Sequence, residues 1–484
     1  MGIRDLLVLI IALPAVPISL VYPFIGLLAF SWLAYMRPQD MAWGVAAQFR
    51  LSFYVAIATM IGMILNWEVP FFRRKASTLF LILFWGWITL SVLFAVDPSQ
   101  GLDKYIEFSK IILISLLTTG LVKTRERLRW IVLVIGFSLG FLGLKYGLFG
   151  FTHGGEIQFK SGVGGLIRDN NDFALALNMA LPFLVFLAKD EQDTRWKLIF
   201  WSLVPFTIAT IVFTYSRGGF LALIASLGLC ILRSRRKAWV LVVAPVTLYL
   251  FLLFAPARYL ERINTIFVES QEEWDSSIQG RLNAWKAAIN ISEDRPLFGV
   301  GVGNFRTVFY NYAPDPENWH VVHNSYLQLL SDAGYPALGL YLILLGISLW
   351  TLWKTRRLVK LSRVPDSEWI IHYSFMFEIA LIAFIIGGTF LDRAFFDLTY
   401  HIIALTACLQ ILAQEHLAVA GSQGRQKVEG KKRVGRVNGR MKEGKKPNVE
   451  ETKNKSRLPR SSAPPFSRTS RRMKDVSQEI DHPT

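Results

Sequence analysis

Four polar constellations interrupt an otherwise apolar chain, and each carries side chains that could do chemistry. Arg217 sits in Tyr215-Ser216-Arg217-Gly218-Gly219, at the mouth of an apolar run. Arg281 follows Gly280 in an amphipathic stretch, Ser276–Asn290, with Trp285 four residues on and on the same face. His320-Val321-Val322-His323-Asn324-Ser325 leads into Gln328, Asp332 and Gly334, and Arg168-Asp169-Asn170-Asn171-Asp172 opens a further apolar run. A guanidinium is a planar five-donor fork that matches phosphate oxygens. A histidine moves protons near neutral pH when a neighbour orients it. Each constellation also has a structural reading: an interfacial anchor, a loop arginine paired with Glu273 or Asp275, a hydrogen-bonded histidine, and a helix N-cap.

Other chemistries find little support. His320 and His323 stand three apart with only Asn324 beside them, a thin set for zinc, so no metal ligands are expected. There is no Walker loop, no Gly-x-Ser-x-Gly elbow and no Cys-x-x-Cys. Gly299-Val300-Gly301-Val302-Gly303 resembles a phosphate loop in composition but lacks its lysine. No cofactor is implied.

The elements that must position these groups are membrane spans. Of 484 residues 52% are hydrophobic and 18% charged, with a mean hydropathy of +0.36. Soluble domains carry roughly 25% charge, and a chain this apolar could not hide its surface from water. At roughly 20 apolar residues per span, runs recur at about Leu6–Leu20, Tyr22–Tyr35, Leu51–Leu65, Ser77–Val96, Phe108–Val122, Trp130–Phe149, Phe173–Leu187, Leu198–Phe213, Gly218–Leu232, Ala238–Phe254, Tyr335–Trp353, Ser374–Phe390 and Thr399–Ala413. Only helices or closed barrels satisfy the backbone in lipid, and continuous apolar runs select helices. The expectation is an all-α polytopic protein with about 12–13 spans.

Cations set its orientation. Arg73-Arg74-Lys75, Lys123/Arg125/Arg127/Arg129, Arg233/Arg235/Arg236/Lys237 and Lys354/Arg356/Arg357/Lys360 occupy every second connection, and a basic tail follows the last span. All five can face the cytoplasm together, which leaves the four constellations on the other side. The connection Ala255–Asn324 is long, partly helical in pattern and rich in aromatics, and its Pro256–His323 portion is net acidic. The net charge of +17 is no nucleic-acid signature, because +11 of it lies in Ala418–Thr484. That tail has the composition of disorder and suits an anionic leaflet. Cys230 and Cys408 lie inside apolar runs and imply no disulfide framework.

Taken in order, Ser216-Arg217-Gly218, Gly280-Arg281 with Trp285, Arg295-Pro296-Leu297-Phe298-Gly299-Val300-Gly301, and His323-Asn324 with Gly334 resemble the O-antigen ligase/polymerase superfamily over roughly Asn170–Trp353. The N-terminal third, with Tyr35-Met36-Arg37-Pro38-Gln39-Asp40, resembles the accessory domain of exosortase-associated O-glycosylation ligases. The resemblance implies three segments: an accessory transmembrane domain (1–169), a ligase-like core (170–416, including loop 255–324) and a basic disordered cytoplasmic tail (417–484). It implies a C-type glycosyltransferase fold in a bacterial inner membrane. The implied reaction is a metal-independent, inverting transfer of a glycan from undecaprenyl pyrophosphate to a protein or lipid acceptor on the periplasmic face. Arg217 and Arg281 match the family's essential arginines and His323 its essential histidine. Asn171 matches a supporting position, Trp285 and Asn324 are further expected substrate contacts, and Asp332 stands where many members have Glu. A polymerase of the same superfamily shares the donor, so the residues leave it open. A transporter or flippase should show an internal repeat with broken helices in both halves, and none is visible.

Overall fold

The computed structural model describes residues 2–42, 44–68, 75–153, 159, 161–232 and 276–443. Helices begin where short polar side chains can accept from their first free N–H groups. Asp97 accepts from the Ser99 amide to start α6 (Pro98–Leu121), and Thr124 from the Arg127 amide to start α7 (Arg125–Thr152). Asp169 and Asp193 do the same for α8 (Asn170–Asp190) and α9 (Thr194–Phe213). Ahead of these lie α1 (Ile3–Val21), α2 (Pro23–Tyr35), the short α3 (Pro38–Met41), α4 (Leu51–Leu65) and α5 (Ala76–Leu93). After them come α10 (Arg217–Leu232), α11 (Ser276–Asp294), α12 (Phe305–Tyr312), α13 (Ser325–Ser362), α14 (Glu368–Gly388) and α15 (Asp397–Glu443). The described residues contain no strand, only an isolated bridge between Ser161 and Asp169.

Among the described residues eight helices, those at Ile3, Ala76, Arg125, Asn170, Thr194, Ser325, Glu368 and Asp397, are long and apolar enough to cross a membrane. The protein is an all-α polytopic membrane protein. Helices α2, α4 and α10 are apolar but shorter, and the first half of α6 carries Asp103, Lys104, Glu107 and Lys110, so only its second half is apolar. The span expected at Ala238–Phe254 lies outside the described residues, as do Arg73, Arg74 and the Arg233–Lys237 cluster.

Contacts sort the helix termini into two ends. At one, Glu68 takes Lys123 and Arg127 at 3.2 and 3.3 Å, and Arg129 pairs with Glu191 at 2.6 Å. Arg125 lies over the Trp369 ring there, and Lys75 donates to Gln414. The basic connections therefore gather on one side. At the other end meet Asp5 and Ala46, Asp97 and Asn304, Asn170 and Thr214, and Ser325 and Leu391.

Helix α8 is the centre of the bundle, buried from Asp172 to Ala188. In lipid, helices gain little from the hydrophobic effect against one another and depend on close packing, which small residues permit. Gly143 and Gly147 supply it between α7 and α9. A Cβ on Gly143 would stand 2.3 Å from Thr207 Oγ1, and one on Gly147 would stand 2.7 Å from the Phe206 carbonyl oxygen. Thr210 uses the approach to donate to the Gly143 carbonyl at 2.7 Å.

Met1–Ser422 forms one compact unit. Intimate contacts such as Trp87 Nε1 to the Ala333 carbonyl, 3.1 Å, run across the expected boundary. The tail is a second unit, Gln423–Thr484. The helix that begins at Asp397 runs on to Glu443.

Replacing Gly143 with Leu should destabilise the bundle by about 1–3 kcal/mol, the usual cost of overpacking. Reversible unfolding in detergent measures it, and unchanged stability would show that the α7–α9 approach is loose.

Candidate functional site

The ends of α8, α10, α11 and α13, with the 389–396 connection, build one polar cluster. Its framework is the pair Asp172–Arg393. Arg393 donates Nε to Asp172 Oδ1 at 2.6 Å and a terminal nitrogen to the second carboxylate oxygen. Asp172 is only 3% exposed. A bidentate guanidinium–carboxylate bond fixes orientation as well as distance. The Arg393 amide donates to Ser325 Oγ at 3.1 Å, and that hydroxyl donates to the Leu391 carbonyl at 2.8 Å. The Ala394 amide donates to Gln328 Oε1 at 3.1 Å. The heads of α8 and α13 are thereby tied to a single turn of chain.

His323 stands at the head of α13, where Asn324 caps the helix by accepting from the Tyr326 and Leu327 amides at 3.0 and 3.1 Å. Its backbone is left-handed, φ 46°, a conformation that costs a residue with a Cβ and persists only where the surroundings impose it. Trp285 helps impose it by donating Nε1 to the Val322 carbonyl at 2.7 Å. Asn283 grips the same stretch through the Asp315 and Asn318 carbonyls and the Asp315 amide. The His320 ring lies against Gly280 so closely that a Cβ there would stand 2.1 Å from Nδ1. A glycine beside Arg281 is needed for that close approach.

Arg281 and His323 are brought together. Burial and the Arg281 guanidinium hold the His323 imidazole down at about 4, with His320 and Arg393 adding to the effect and Asp169 opposing it. At neutral pH the ring is uncharged and can accept a proton. Arg217 begins α10 directly after Tyr215, another left-handed non-glycine residue, φ 54°. Gly218 abuts Phe390, and Gly219 abuts Ala174 of α8, whose Asn178 donates to the Gly219 carbonyl at 2.9 Å. Arg217 is thus anchored between the head of α8 and the connection that carries Arg393.

Other expected contacts have internal duties. Asn171 donates its side-chain amide to Asp169 at 2.9 Å and to Asn170 at 3.2 Å. Asn324 spends its oxygen on the cap, and Trp285 spends its N–H on Val322, so both hold His323 in place. The Gly299–Gly303 turn is a clasp. The Val300 and Gly301 amides donate to the Ser331 and Asp332 carbonyls, both at 2.9 Å, and Val96 donates to the Val300 carbonyl at 3.0 Å. These bonds brace the break in α13 at Gly334, φ 79°, where a Cβ would stand 2.3 Å from the Leu297 carbonyl oxygen.

Arg393 was not singled out from the sequence. The available signal was Leu391-Asp392-Arg393, two charges together between apolar runs at the end shared by the other constellations.

Comparison with known proteins places this stretch of chain in a family. Residues 198–342, which include Arg217, Arg281 and His323, match the family model described as O-antigen ligase. The chain carries an O-antigen ligase domain. It belongs to the O-antigen ligase/polymerase superfamily, and the matched stretch runs from α9 into α13. Residues 3–170 match a family of unknown function, DUF5935. No curated protein matches the chain.

Two outcomes test the site of this ligase-domain protein. Replacing Arg393 with Met strands a buried carboxylate and should cost about 3 kcal/mol, read by unfolding in detergent, with Asp172→Asn/Arg393→Met recovering part of the loss. In a protein labelled with 15N-histidine, His323 should stay neutral from pH 8 to below pH 5.5. A midpoint near 6.5 would show that Arg281 and burial do not act on it. Because its folded value lies below the unfolded one, the stability it contributes is present above about pH 6.5 and is lost as pH falls toward 4.

Proposed function

We propose that the protein is an inverting membrane glycosyltransferase that moves a glycan from a lipid pyrophosphate to a hydroxyl of a protein or lipid acceptor. The observation that carries this reading is an uncharged, backbone-strained histidine held beside an arginine fork within an O-antigen ligase domain. His323 takes the proton of the acceptor hydroxyl as its oxygen forms a bond to the anomeric carbon from the face opposite the leaving group. The bond from that carbon to the pyrophosphate oxygen breaks, and its electron pair leaves with the pyrophosphate.

Arg281 and Arg217 stabilise the charge that grows there, in surroundings where charge stabilisation is strong. Arg393 is already committed to Asp172 and serves as a positioning residue. An undecaprenyl chain is the fitting donor lipid, since the cluster lies at one end of a bundle whose apolar flanks face lipid. The basic end would face the cytoplasm of a bacterial inner membrane and the ligase cluster the periplasm. The arginines supply the positive charge, so the transfer is expected to proceed without a divalent ion. A polymerase joining repeat units would use the same donor and the same three residues, and acceptor analysis separates the two.

The test is transfer from a defined undecaprenyl-pyrophosphate glycan by purified protein, with a chelator present throughout. His323→Ala should lower kcat by at least about 100-fold, the usual contribution of a general base. Arg217→Ala and Arg281→Ala should each cost about 10²–10³-fold, the usual range for loss of a group stabilising developing charge. Undiminished transfer by the His323 variant, or loss of wild-type transfer to the chelator, would refute the reading.

A further inference from the structure

Beside the segment that carries His323, on the wall formed by Val321 and Val322, lies a cavity of about 560 Å3. None of the three proposed catalytic residues lines it. Its polar lining comes from distant parts of the chain: Gln100 and Lys104 of α6, Arg306 at α12, Gln328 and Asp332 of α13, and Asp392. The size falls within the range of about 300–1,000 Å3 typical of small-ligand sites.

Two features show what such a cavity is built to accept. Asp332 is 3% exposed, and its Oδ1 has no hydrogen-bond partner; Asp392 Oδ1 is likewise buried and unpartnered. Buried polar atoms are nearly always paired, so two unpartnered carboxyl oxygens on residues that line one cavity set this wall apart. Lys104 and Arg306 share the wall with the Asp332 and Asp392 carboxyls. Trp319 and Tyr310 add aromatic surface; the Trp319 ring is held edge-on by Phe309 at 4.8 Å and covered by the Arg306 guanidinium at 5.5 Å. Tyr310 is 63% exposed at the rim.

A neutral ligand with many hydroxyl donors and an apolar face for aromatic rings fits this lining. We propose that the cavity of Asp332, Asp392, Gln328, Trp319 and Tyr310 is a saccharide-binding subsite that holds a neutral sugar unit by its hydroxyls, next to the histidine that would activate an acceptor. The inference rests on the glycosyl-transfer reading. That reading does not require it, since transfer to a protein hydroxyl needs no sugar pocket here.

The cavity also gives a physical reason for the clasp around Gly299–Gly303. Gly303 lines the wall, and its backbone amide faces the Asp332 carboxylate. Ser91 donates to the Phe298 and Asp332 carbonyls at 3.0 and 2.8 Å. Asp332 is therefore fixed from both sides.

The experiment uses full-length protein in lipid nanodiscs and saturation-transfer NMR with four neutral trisaccharide probes, of gluco, manno, rhamno and N-acetylglucosamine configuration. At least one should bind saturably. Asp332→Ala should weaken that binding about tenfold, the effect of losing one charge-assisted hydrogen bond. Tyr310→Ala, at an exposed position that does not threaten folding, should weaken it several-fold, whereas His323→Ala should leave it within twofold. Displacement of the probe by a lipid-pyrophosphate glycan would assign the subsite to the donor's sugars, and simultaneous binding would assign it to an acceptor's. Absence of binding by all four probes, binding indifferent to both cavity variants, or displacement of the probe by Ca2+ or Mg2+ alone would overturn the proposal. Failure of the His323 transfer test with sugar binding intact would sink the proposed catalytic role and leave the subsite standing.

Discussion

The outer architecture of the site depends on one buried ion pair. Asp172 belongs to the first turn of the most enclosed helix in the bundle, and Arg393 to a short connection more than two hundred residues later. A charge in such a place is tolerated only when it is paired and hydrogen-bonded, because desolvation by itself costs several kcal/mol per ion. Meeting that condition forces the head of α8 against the 391–394 turn, and the same turn holds Ser325 and Gln328 of α13. His323 lies two residues before Ser325. Geometry at the histidine is therefore inherited from an ion pair that has no part in the proposed proton transfer.

Around that frame the protein divides labour between groups that act and groups that hold. Arg281 is the cation whose field, with burial, keeps the imidazole neutral. Trp285, Asn283 and Asn324 fasten the segment that presents the imidazole through hydrogen bonds to its backbone or its flanks. A left-handed backbone at His323 and at Tyr215 marks two places in the site where chain direction is forced by neighbours rather than chosen locally. Strain at residues flanking an arginine and at a histidine, in one cluster, fits a preorganised site whose geometry is fixed before substrate arrives.

The Gly-rich turn shows how composition can mislead. Its glycines allow left-handed turns and close backbone approach, which a phosphate loop also needs, yet here the amides are spent on the Ser331 and Asp332 carbonyls. The turn works as a buttress for the α13 break and links α5, the long connection and α13 into one block. The bundle's one compact unit over Met1–Ser422 follows from such ties. Through these ties α5 packs directly against the break in α13.

The sequence by itself determined the all-helical membrane class, the gathering of basic connections on one side and the identity of Arg217, Arg281 and His323 as candidates. Apolar run length and charge placement are local properties, and lipid permits few ways to satisfy a backbone. It also offered one helix start, at Asp169, which acts on an amide two residues away. Only the tertiary structure decided that Arg393 pairs with Asp172, that Trp285 and Asn324 support His323, and that Asp332 and Asp392 line a common cavity. Those facts come from contacts between residues tens to hundreds of positions apart, and no local periodicity records which distant side chains will share one desolvated space.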